Sequence, residues 1–65
     1  MERDHDRVLK VVKFMEQHGG GFLNALAVCW YRADKTNQMI LEKAFKHYFD
    51  EYQKALEGVE ARRVG

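Results

Sequence analysis

Residues 22–31 read Phe22-Leu23-Asn24-Ala25-Leu26-Ala27-Val28-Cys29-Trp30-Tyr31, and Asn24 is the one clearly polar member. A surface helix normally shows a polar face, and this stretch barely has one. On a 3.6-residue period it splits into two apolar faces. Phe22, Leu26, Cys29 and Trp30 define the main face, widened by Leu23 and Ala25, which the rest of the chain is expected to cover. Ala27, Val28 and Tyr31, beside Asn24, form a second face. That face is the expected interface with a partner, most simply a second copy of the chain. Ala25 and Ala27 are small enough to let a neighbouring helix approach closely.

The chain has 65 residues, enough for one domain at most. Domains near this size bury only about 60% of their unfolded surface and are marginal alone. They rely on disulfides, metals, oligomerisation or efficient helix packing. A single cysteine, Cys29, excludes an internal disulfide. Association and helix packing are left as the expected sources of stability, with a dimer the favoured assembly.

Outward from residues 22–31, the chain is punctuated by Gly19-Gly20-Gly21 on one side and Ala33-Asp34-Lys35-Thr36-Asn37 on the other, and it contains no proline. Before the glycines, Val8, Val11, Val12 and Met15 share one stripe and predict a helix over about 4–18. Asp4 and Asp6 suit its N-cap and first turn, where carboxylates meet the positive end of the dipole. The second helix is expected over about 21–32. After Asp34, a plausible N-cap, Leu41, Ala44, Phe45, Tyr48, Phe49, Tyr52, Ala55 and Leu56 form a continuous apolar stripe. That stripe predicts one long helix over about 35–57. Met39 and Ile40 sit off it, and Glu42, Lys46, Asp50 and Lys54 alternate in sign along the opposite side. The pattern fades after Gly58, so 58–65 is expected to fray. No sustained period-two alternation argues for strands. The expected fold is all-α, a single domain over 1–57 with three helices, the C-terminal one long, and self-associating.

Eleven Lys and Arg against ten Asp and Glu give a formal net charge of +1, with the signs mixed along the chain. This lacks the concentrated basic footprint of a protein that depends on phosphate contacts. The apolar cluster over 8–15 is interrupted by Lys10 and Lys13, so no secretory signal is read, and the second helix is shorter than the roughly 20 residues a bilayer span needs. A cytoplasmic protein with a reduced thiol and no membrane partner is expected.

Few residues suggest chemistry. Cys29 lies mid-helix between Val28 and Trp30, away from any base or helix N-terminus that would activate it, and reads as a small buried hydrophobe. His5, His18 and His47 show no metal-ligand spacing with each other or with Cys29. His47, before Asp50 and Glu51, suits a surface ion pair. No catalytic residue, metal site or cofactor is expected, and the protein is read as a non-enzyme. The glycine run reads as a hinge needing positive φ at one or more positions. Its competing reading is an anion cradle at a helix N-terminus. There His18 and Gly20, with Arg32, would contact a small anionic ligand such as a nucleotide in an oligomer. Lys35, Asn37 and Gln38, with Arg32, form a second candidate set. They open a helix after a short turn, as in a helix-turn-helix protein, and all can contact bases or phosphates. That DNA-binding reading predicts them exposed together.

Over residues 20–52 the chain also resembles a loose group of small phage and prophage proteins of unknown function. The residues that carry the resemblance are Gly21-Phe22, Ala25-Leu26-Ala27, Trp30, Ala33-Asp34, Asn37, Leu41, Ala44-Phe45, Tyr48-Phe49 and Tyr52. The resemblance implies expression in an infected bacterial cell and supplies no catalytic or ligand residues. It further implies an interaction protein that occupies a host protein or a small signalling molecule, including components of antiviral defence.

Overall fold

The computed structural model describes residues 5–63, and the chain is all-α. Among the described residues four helices follow one another: α1 (His5–His18), α2 (Gly20–Arg32), α3 (Lys35–Ala44) and α4 (Lys46–Arg63). The expected N-cap at Asp4, and positions 64–65 of the expected frayed tail, lie outside the described residues. The most extensive helix–helix contact joins α1 to α2, α4 packs on α1, and α3 leans on α2 and α4.

One residue, Gly19, separates α1 from α2. Its N–H donates to the Met15 carbonyl at 2.8 Å, closing the last turn of α1. A Cβ at this position would stand 2.4 Å from the Leu23 Cβ and 2.7 Å from the Met15 carbonyl oxygen. Only glycine therefore lets the two helices meet so closely. Gly20 supplies the reversal itself, with φ of 77°, a value costly for any residue with a Cβ. The hinge expected of the glycine run is thus built from two of its three members.

The hinge fixes which face of α2 turns inward. Val11, Val12 and Met15 from α1 meet Leu23, Leu26, Ala27 and Trp30 from α2, and Phe49 of α4 closes the cluster. Burying each large apolar side chain here stabilises the fold by roughly 1.5–3 kcal/mol. This corrects the expected wheel. Ala27, assigned to the outer face, is only 1% exposed, whereas Phe22, assigned to the inner face, is 57% exposed. Cys29 is likewise exposed rather than buried. The physical reason is that both faces of residues 22–31 are apolar, so periodicity alone cannot choose between them. The tight turn at Gly19 and Gly20 makes the choice by aiming Leu23 and Ala27 at α1.

The expected long third helix is broken. Phe45 leaves the helical region (φ −113°, ψ 32°), its N–H still bonds the Leu41 carbonyl, and its own carbonyl accepts from Tyr48 and Phe49 to start α4. No glycine or proline causes this. One apolar stripe has to serve two partners, with α3 lying on α2 and α4 on α1, and the turn at Phe45 lets it face both. At the far end α4 runs through Gly58 to Arg63 instead of fraying from 58. Arg7 of α1 holds these last turns, donating to Glu60 at 2.9 Å and to Glu57 at 3.3 Å. Such a cross-helix clamp leaves no trace in apolar periodicity.

Candidate functional site

Trp30 organises the α2–α3 half of the molecule. The residue is 2% exposed, and its ring stacks on His5 at 5.5 Å and meets Tyr31 edge-on at 6.0 Å. A buried indole needs an acceptor for its N–H, and Glu42 of α3 supplies one at 2.8 Å. The Trp30 carbonyl, at the open end of α2, accepts from the Gln38 side chain at 3.0 Å and from the Ala33 N–H at 3.2 Å. Asp34 caps α3 by accepting the Asn37 N–H at 2.8 Å, satisfying one of the donors that every helix start leaves open.

These directional bonds have a consequence for α3. Its one buried side chain is Gln38, while Leu41 is half-buried against the core. Met39 and Ile40 point outward, 49% and 57% exposed. With Thr36, Glu42, Lys43 and Lys46 they line a shallow, mostly apolar groove. On α2 the exposed Phe22 ring reaches across to Tyr48 at 5.6 Å and Phe45 at 6.2 Å. The α2–α3 half thus presents large apolar side chains without covering them.

Of the expected interface on α2, two members bond across to α1. Asn24 donates its amide to the Glu16 carbonyl at 3.3 Å, and the Tyr31 hydroxyl donates to the Glu16 carboxylate at 3.1 Å. Partial burial, and then the hydrogen bond and charge of Glu16, raise the Tyr31 phenol above its ordinary value. Ala27 is buried, and only Val28, at 37% exposure, stays outward without such a bond. Ala27 therefore belongs to the core between α1 and α2, whereas Asn24, Val28 and Tyr31 stay exposed, with Asn24 and Tyr31 bonded to α1 at the edge of the seam.

The candidate ligand residues are dispersed. His18, the last residue of α1 with its ring against Phe14 at 4.5 Å, and Gly20 stand where α1 meets the start of α2. Arg32, Lys35 and Asn37 stand at its other end, all exposed, one helix length or about 20 Å away. His18 and Arg32 therefore cannot grip one small anion within a single chain. Gln38 is buried and bonded to Trp30, so it is unavailable to read DNA, and the exposed set that reading predicted loses a member. His47 rests edge-on against Tyr48 at 5.6 Å, and the i,i+4 ion pair on this face is Lys46 with Asp50. Among the described residues no group of three or more His, Cys, Asp or Glu is placed to hold a metal ion. None of their helices is long and apolar enough to cross a membrane.

No family model matches the chain, and no curated protein or solved structure matches it either.

In the sequence Met39 and Ile40 stand only as residues off the stripe. The signal was present, because an apolar pair outside the core-facing stripe of a short helix is a candidate contact surface.

Proposed function

We propose that this chain is a small non-enzymatic interaction protein that self-associates through the outward side of its α2–α3 half. The observation that carries the reading is the inversion of α3. Polar bonds to Trp30 and the Asp34 cap hold the helix, while Met39 and Ile40 face away from the core. A helix of ten residues is marginal by itself. Apolar side chains on its outer face therefore suit a partner that covers them. The exposed Phe22 extends the same reading onto α2. The wider role, occupying a host protein or a small signalling molecule to counter host defence, rests on the resemblance to phage proteins. That resemblance also supports a bacterial cytoplasm as the place of action.

Sedimentation at high micromolar concentration tests the reading. The unmodified chain is expected to sediment as a dimer. Ile40→Lys with Met39→Lys is expected to sediment as a monomer with the same helix content, since both positions are exposed. A well-folded monomer in the unmodified chain would sink self-association, and a dimer that survives both lysines would move the interface off α3.

A further inference from the structure

A cleft of about 310 Å³ opens between α1 and the last turns of α4. This is the lower end of the roughly 300–1,000 Å³ seen for ligand pockets. Its half-buried lining is apolar: Phe14 from α1, with Leu56 and Val59 from α4. Its exposed edge is cationic or polar, with Lys10, Lys13, Gln17 and His18 from α1. Among the described residues Glu60 is the one carboxylate lining the cleft, and Arg7 engages it at 2.9 Å. Lys10 and Lys13 have no anionic partner among the described residues. They stand three apart on one helix, where like charges repel, and their long stems let both ammonium groups swing over the opening.

We propose that this cleft binds a small amphiphilic carboxylate, of the medium-chain fatty-acid class. The apolar lining takes an alkyl body by excluding it from water. The two lysines take the single negative head, which also relieves their mutual repulsion, while the Arg7 clamp keeps Glu60 from opposing it. A nucleotide is a poorer match, because the cleft offers its phosphates no backbone cradle and its base only half-buried aliphatic walls beside Phe14. The site is separate from the Met39 and Ile40 groove on α3, so it stands independently of self-association.

Titration of the isotope-labelled full chain with decanoate, below its micellar concentration, tests the proposal by amide chemical shifts. Saturable shifts are expected around Phe14, Leu56 and Val59. Decanol, which has the same body and no charge, is expected to bind about tenfold more weakly, as is decanoate to the Lys10→Gln, Lys13→Gln double variant, a loss equivalent to one charge-assisted contact. The double variant should bind decanol as the unmodified chain does and melt at the same temperature or slightly above it, since the repulsion between the lysines is gone. Val59→Asp, which places a carboxylate in the apolar wall, should abolish decanoate shifts while keeping helix content. The proposal is overturned by any of four outcomes: shifts centred on Met39 and Ile40, equal binding of decanol, unchanged decanoate affinity in the double variant, or capture by anionic lipid vesicles with no response to free decanoate.

Discussion

Helices α1 and α3 are both amphipathic, yet they meet the rest of the chain in opposite ways. The first turns Val11, Val12 and Met15 inward, none more than 2% exposed. The second turns Gln38 inward and Met39 and Ile40 outward. One is held by burial, which is strong and non-directional. The other is held mainly by a few directional bonds, each worth about 1 kcal/mol net, with half-buried Leu41 its apolar contact to the core. The contrast shows how a chain this small can keep a stable half and still leave apolar surface for contact. Its core sits in the α1–α2 pair with Phe49, and α3 is attached to that core rather than part of it.

The largest expected effect lies in the burial-held half. Ala27→Glu would place a carboxylate at a position only 1% exposed, inside the cluster shared by Val11, Val12, Leu23 and Trp30. An unpaired buried charge costs several kcal/mol, against a core that at this chain length supplies about 3–5 kcal/mol. Circular dichroism is expected to show loss of most helix. A folded Ala27→Glu with an altered assembly state would mean that this face of α2 is an interface after all, and the division between the two halves would fail.

A middle-sized effect belongs to α3. Gln38→Ala removes the bond to the Trp30 carbonyl, which retains the Ala33 N–H, so the loss should be about 1 kcal/mol. It should also be local. Hydrogen exchange is expected to speed up in residues 35–44 while the amides of α1 keep their protection. Equal acceleration in both helices would show that α3 belongs to the cooperative core.

The sequence made the all-α class legible because Val8, Val11, Val12 and Met15 repeat at helical spacing and the two punctuated turns stand out. Asp34 was readable as a cap because capping chemistry is local. The orientation of α2 was not readable, since Phe22, Leu23, Leu26, Ala27 and Trp30 are apolar on every side. It took the contact between Gly19 and Leu23, a tertiary fact, to set the rotation. The break at Phe45 was hidden for a related reason. A stripe over 41–56 looks the same whether it serves one partner or two, and only the placement of α1 and α2 divides it. The last turns of α4 depend on Arg7, fifty residues away from Glu57 and farther still from Glu60. The α1–α4 cleft was invisible from sequence on the same grounds, because one of its walls comes from the segment that loses apolar periodicity.

The smallest expected effect tests whether polar bonds matter in the burial-held half at all. Tyr31 donates to Glu16 across the α1–α2 seam, as Gln38 donates to Trp30 across α2–α3. If burial dominates that seam, Tyr31→Phe should change stability near neutral pH by no more than about 0.5 kcal/mol. Its effect should appear instead at alkaline pH. The folded phenol titrates above its ordinary value, through partial burial first and the neighbouring Glu16 carboxylate second. The protonated phenol is thus favoured by the fold. Its contribution is fully present below the unfolded value, near pH 10, and is lost as pH rises through the higher folded value. Comparing denaturant midpoints at neutral pH and above pH 10 should show the unmodified chain losing slightly more stability than Tyr31→Phe. Because the hydroxyl is partly solvated, the difference should be small. A large loss at neutral pH would instead put a directional bond at the centre of the α1–α2 pair and erase the distinction between how α1 and α3 are held.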